Sequence, residues 1–180
     1  MIVVKIGMGL LGLGLMCPVL AQAAGVMQFH GAVVQPTCVI HGGDNAAYTV
    51  VTLPSVSSQH LATHGQRAGE TTFTIRLSLC DPSVRRLRAY FQSGRFTDAK
   101  SGRLNIDHTY ANTAKHLQIE ISHPDQGEVI ALGQPSQSNS YVPIDNDGSV
   151  AMHYEARYYA QGRVVPGYVR SQVTYVLQYL

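Results

Sequence analysis

Apolar and polar residues alternate with a period of two through most of this chain, and no segment longer than a turn or two carries a helical stripe. The clearest run is 71–80. There Phe73, Ile75, Leu77 and Leu79 take one parity while Thr72, Thr74, Arg76 and Ser78 take the other, the pattern of a half-buried strand. Shorter runs obey the same rule: Leu87, Ala89 and Phe91; Leu117, Ile119 and Ile121; Val150, Met152, Tyr154, Ala156 and Tyr158. A last strand is predicted over 168–179. Turn clusters separate these runs, among them His41-Gly42-Gly43-Asp44-Asn45, Ser93-Gly94, Ser101-Gly102, Gln134-Pro135-Ser136 and Asp145-Asn146-Asp147-Gly148. Residues 55–69 show no clean alternation and read as a connection with one helical turn near 60–63. Many short strands between turn signals predict an all-β sandwich or barrel.

One stretch departs from this pattern. Lys5 precedes an apolar run over 6–16, which is followed by Pro18 and the small-x-small site Ala21-Gln22-Ala23, so residues 1–23 read as a secretory signal peptide. A retained membrane anchor is the rival reading, but the run is shorter than the ~20 apolar residues a spanning helix needs. A cut after Ala21 would move the mature start by two residues. The mature chain is long enough for one domain with its own core.

Charge and cysteines narrow the compartment and the partners. Thirteen Lys and Arg stand against eleven Asp and Glu, so there is no basic excess to bind nucleic acid. Cys17 leaves with the signal, and Cys38 and Cys80 then face an oxidising compartment in which one disulfide is the default. Closing a loop of about forty residues stabilises a fold by roughly 3–4 kcal/mol on the chain-entropy model. A two-cysteine metal site would lack the further ligands that zinc requires.

Candidate chemistry is sparse. His60 and His64 have helical ligand spacing, but Leu61 stands where a zincin motif needs glutamate. The 145–148 cluster misses the alternate-position ligands of a calcium loop and reads as a turn. Arg85, Arg86 and Arg88 read as a solvated strand edge. No Gly-x-Ser-x-Gly elbow and no free thiol with a histidine is in view. No enzyme, no cofactor and no metal site is therefore expected.

The two ends carry more information. After the cleavage site comes Ala24-Gly25-Val26-Met27-Gln28-Phe29-His30-Gly31-Ala32-Val33-Val34, in which Met27, Phe29, Gly31 and Val33 share one parity. From Gly167 onward Val169, Ser171, Val173, Tyr175, Leu177 and Tyr179 do the same. The first segment is equally readable as the ordinary first strand of a sandwich.

These segments, with Val51-Thr52-Leu53-Pro54-Ser55-Val56-Ser57, Phe73-Thr74-Ile75-Arg76-Leu77 leading to Cys80-Asp81, and Tyr154-Glu155-Ala156-Arg157-Tyr158-Tyr159-Ala160 followed by Gly162 and Pro166-Gly167, resemble the type 1 fimbrial major-subunit-like pilins of the chaperone-usher pathway. Gly167, fourteenth from the last residue, and the penultimate aromatic Tyr179 fit that family too. The resemblance implies an incomplete immunoglobulin-like β-sandwich lacking its final strand, with residues 24–36 as a donor-strand extension and 37–180 as the pilin domain. Met27, Phe29, Gly31 and Val33 match the positions that enter a neighbour's groove, and Gly31 the place where only a hydrogen fits. Gly167, Val169, Val173, Tyr175, Leu177 and Tyr179 match the strand that a periplasmic chaperone binds. The implied partners are that chaperone, an outer-membrane usher and neighbouring subunits, and the implied destination, by way of the periplasm, is a fimbria on the cell surface that supports adhesion. Two or three residues before Met27 make a short arm for a major rod subunit, which leaves a minor adaptor or tip-proximal adhesive subunit open. A free-standing secreted carbohydrate-binding sandwich is the rival from another class.

Overall fold

The computed structural model describes residues 38–41, 48–124, 127–139 and 141–180. The predicted signal peptide and the arm with Met27, Phe29, Gly31 and Val33 lie outside the described residues.

Among the described residues, eight strands form two antiparallel sheets. In chain order they are β1 (Val39–His41), β2 (Arg67–Ser78), β3 (Arg86–Phe91), β4 (Leu104–Asn105), β5 (Lys115–Ser122), β6 (Val142–Pro143), β7 (Val150–Val165) and β8 (Tyr175–Tyr179). The first sheet has the order β1-β2-β7-β5-β4, the second β6-β3-β8. Strand β7 is the spine of the larger sheet because it is paired on both edges, with β2 from Leu77↔Val150 to Arg67↔Tyr159 and with β5 from Ser122↔Glu155 to Lys115↔Val165. Its alternating residues Val150, Met152, Tyr154, Ala156 and Tyr158 are all buried. Between Ala68 and Thr71 the β2–β7 register shifts, and Gly69 sits there with φ +75°. A side chain at that bulge would be conformationally strained and its Cβ would press to 2.9 Å from the Tyr158 ring.

The main core joins inward residues of both sheets, including Ile75, Leu77, Leu87, Ala89, Phe91, Ile121, Met152 and Tyr154. Phe73 stacks on the Tyr154 ring at 5.4 Å and Phe91 meets it edge-on at 5.1 Å. A smaller cluster, with Leu61, Ile106, Ala114, Leu117, Ala160 and Val164, lies toward the end where β7 finishes. Leu61 reaches it from a 3₁₀ helix, Ser58–Leu61, whose N-cap Ser57 accepts a hydrogen bond from the Gln59 amide at 3.3 Å. Cys38 and Cys80 are disulfide-bonded.

Four expectations change. Leu79 does not continue the inward parity of β2: the strand ends at Ser78, and Leu79 turns out with φ +51° and 78% exposure. The turn to Cys80, whose amide donates to the Gly148 carbonyl at 3.1 Å, reverses the alternation there. Arg88 is not on a solvated edge, because β3 is the middle strand of its sheet and Gln137 and Tyr141 lie against the Arg88 guanidinium. Its guanidinium donates to the Gln137 carbonyl and, at 2.9 and 2.6 Å, to Gln178 Oε1, with the Tyr141 ring 4.8 Å away. The polar parity of β5 is buried as well: Gln118, Glu120 and Ser122 are shielded on the face away from the core. Finally, the predicted strand over 168–179 is regular only at Tyr175–Tyr179.

Candidate functional site: an open strand edge

The alternation at the C-terminal end is real, but it is hydrogen-bonded in two parts. Tyr168 bridges Thr113 in parallel, the Asp107 amide donates to the Arg170 carbonyl at 2.8 Å, and the Ser171 hydroxyl donates to the Asn105 carbonyl at 2.8 Å, all contacts to the larger sheet's end. At Thr174 the chain changes sheets, since its carbonyl accepts from Gln92 at 2.8 Å and β8 then pairs with β3 from Phe91↔Tyr175 to Leu87↔Tyr179. A chain that crosses from one sheet to the other closes that corner of the sandwich.

Gly167 makes the crossing sterically feasible. A Cβ at that position would fall 2.6 Å from the Asn112 carbonyl oxygen and closer still to the backbone of Thr113 and Ala114. Its place in the chain is therefore set by a backbone-to-backbone approach that excludes any side chain.

Strand β8 is the edge of its sheet, and among the described residues nothing pairs with its other side. Val169, Ser171, Val173, Tyr175, Leu177 and Tyr179 are all half-buried, whereas Arg170, Gln172, Thr174 and Val176 between them are exposed. Val173, Tyr175, Leu177 and Tyr179 pack against the main core and Val169 against the smaller one. These residues are rooted in the core yet left half in solvent. Burial pushes the Tyr175 phenol above its ordinary range. At the beginning of the strand a cavity of about 120 Å³ opens between Ser93, Arg95, Phe96, Val173 and Thr174. A sheet edge with half-buried apolar side chains beside it is the kind of surface that strand addition uses.

The far side of β3 is closed, and sequence reasoning missed how. The Gln137 side chain accepts from the Phe91 amide at 3.0 Å and donates to the Phe91 carbonyl at 2.9 Å, as a neighbouring strand would. Strand β6 reaches only Arg86 and Leu87, so without Gln137 the Phe91 amide would lose this partner, while the Phe91 carbonyl also accepts from the Gly133 amide at 2.9 Å. Arg88 fastens the same loop to Gln178 on β8. Neither residue carries a sequence signal beyond polar parity. Glu120, fully buried, is held by Arg67, Arg103 and Arg157 at 2.7–2.8 Å, and Arg103 lies 3.8 Å over the Tyr159 ring. Burial alone would raise its carboxyl, but the three guanidinium hydrogen bonds outweigh this and hold it below the ordinary carboxylate range. Among the described residues no three of His, Cys, Asp and Glu gather as a metal site.

This two-sheet sandwich matches solved pilus proteins. One, a chaperone-usher pilus, superposes with a TM-score of 0.58 at 19% identity over 91% of this chain and all of that one. The P pilus rod subunit PapA superposes with a TM-score of 0.56 at 16% identity over 81% of this chain and all of its own. At those identities the likeness is one of fold. The model of the fimbrial protein family matches residues 27–180. The chain belongs to that family. Its relatives include the major fimbrial subunit SMF-1 of Stenotrophomonas maltophilia, 38% identical over 90% of this chain and 96% of that protein, and the type-1 fimbrial protein C chain of Escherichia coli, 27% identical over 86% and 83%. The fold is thus that of a fimbrial structural subunit, an incomplete immunoglobulin-like sandwich, with β8 at a sheet edge among the described residues.

Proposed function

We propose that this protein is a structural subunit of a chaperone-usher fimbria whose β8 groove is completed by a strand borrowed from another molecule. The observation that supports this reading is the half-burial of Tyr175, Leu177 and Tyr179 on β8, a strand paired on one side only among the described residues, with Val169, Ser171 and Val173 of the lead-in half-buried on the same parity. A periplasmic chaperone supplies the strand first. At the outer-membrane usher the segment 24–36 of the next subunit replaces it, with Met27, Phe29, Gly31 and Val33 seated in the groove. Main-chain hydrogen bonds along β8 give affinity, and the pockets between Val173, Tyr175, Leu177 and Tyr179 give register. Because each link completes a core, subunits separate slowly and the fibre's persistence is kinetic. The product is an extracellular fibre that supports adhesion, and the chain has no catalytic role.

The test is co-expression with a periplasmic pilus chaperone, purification of the complex and addition of a peptide spanning residues 24–34. Displacement of the chaperone, with protection of β8 amides from hydrogen exchange, is the expected result. A subunit that stays soluble and monomeric without chaperone, and ignores the peptide, would be a free-standing sandwich instead.

A further inference from the structure

The two ends of the sandwich carry opposite charge. One end holds the β2–β3 turn, the start of β7 and the end of β5, and exposes Asp81, Glu128, Asp145 and Asp147, with Arg76, Arg85 and Arg86 as partial offset. Hydrogen bonds from Ser83 and Ser149 hold Asp81 and Asp147 below the ordinary carboxylate range, so both are ionised at neutral pH. The opposite end holds the end of β7, the start of β5 and the lead-in to β8, and exposes Arg95, Lys115, Arg163 and Arg170, with Asp107 beside Arg95 and Arg170 as partial offset. Each end also presents apolar surface. Leu79 is 78% exposed at the acidic end in a strained left-handed conformation. Tyr168 is 77% and Tyr110 50% exposed at the basic end, the latter under the Arg170 guanidinium at 4.3 Å.

Resting on the strand-borrowing reading, we infer that the basic end of one subunit docks against the acidic end of the next copy, so that charge as well as strand insertion orders the fibre. Connectivity supports this occupant. Cys38, bonded to Cys80, lies at the acidic end, so the chain that precedes it joins the body there. Strand β8 runs from the basic end at Tyr175 to the acidic end at Tyr179. An arm inserted antiparallel to β8 finishes at the acceptor's basic end and delivers the donor's acidic end to it. A parallel insertion would bring two acidic ends together. Complementary charge raises association rates and penalises the wrong register, while tyrosine and arginine beside exposed apolar residues form the dry centre of such contacts.

The experiment follows fibre growth from chaperone-bound full-length subunits at low salt and at about 1 M salt, where the screening length is only about 3 Å. One variant reverses the basic end (Lys115→Glu with Arg163→Glu), one the acidic end (Glu128→Lys with Asp145→Lys), and one carries all four substitutions. Uptake of the 24–36 peptide, which lacks either end, is measured in parallel. At low salt each single-ended reversal slows growth about tenfold, the four-substitution variant recovers, and the wild type slows about tenfold in high salt. Peptide uptake stays unchanged throughout. Growth of the reversed variants at the wild-type rate overturns the inference, as does a four-substitution variant no faster than the single-ended ones. If the wild type fails to take up the peptide, the strand-borrowing reading itself falls and takes the docking of ends with it.

Discussion

Strands β7 and β8 alternate in the same way and fare differently. In β7 the inward residues Val150, Met152 and Tyr154 are 4%, 2% and 2% exposed, whereas in β8 the inward Tyr175, Leu177 and Tyr179 remain half-exposed. The difference is position. Among the described residues, β7 has a hydrogen-bonded neighbour on each edge and a second sheet over its inner face, while β8 has a neighbour on one side only. Alternation states which face of a strand is apolar; it does not state whether that face is closed. In the proposed function the unclosed face is the one that takes part in assembly.

The contrast can be broken most strongly in the centre. Met152→Ala is expected to lower unfolding free energy by about 3–4 kcal/mol, equally with the groove empty or filled by the 24–36 peptide, as read by denaturant unfolding. On the outer face of the same sheet, Glu120→Gln leaves three arginines without their shared carboxylate and costs about 3 kcal/mol at neutral pH. Because the folded Glu120 carboxyl lies below its unfolded range, its contribution is present above about pH 4.3 and is lost as pH falls through the lower folded value. The glutamine variant therefore shows a flatter acid limb, and an unchanged limb would mean that the cluster contributes nothing.

At the edge, Leu177→Ala is expected to cost only about 1 kcal/mol with the groove empty and roughly twice that with the peptide bound, since only then is the side chain fully removed from water. Equal losses in the two states would show that β8 is already closed. The smallest effect belongs to Tyr154→Phe. Burial pushes the Tyr154 phenol up to about 12, so the wild type keeps full stability below the ordinary value near 10 and loses it as pH rises toward 12. Phenylalanine keeps the ring contacts with Phe73 and Phe91 and removes that alkaline loss, while stability at neutral pH shifts by less than about 1 kcal/mol.

Much of the architecture was legible because a period of two is a local property. The inward residues of β2 up to Leu77, of β3, β5 and β7, and the parity of 169–179 were all readable from single side chains. So was the 3₁₀ turn, only slightly displaced. Arg88 and Glu120 were not legible, because a polar residue at an outward position looks the same whether it meets water or a partner from elsewhere in the chain. Arg88 finds Gln178 ninety residues away, and Glu120 finds Arg67 and Arg157 on two other strands. Leu79 was misread because its outward turn depends on a contact with Gly148 across the sandwich end.

The chain on its own determined an all-β fold, an alternating segment near each end and a family pattern specific enough to name. Tertiary structure alone decided that the last strand changes sheets at Thr174, that Gly167 lets two backbones meet, and that charges scattered along the sequence separate to opposite ends. Periodicity is set by neighbours one and two residues away, whereas closure, charge separation and edge exposure are set by which distant strands come to lie side by side.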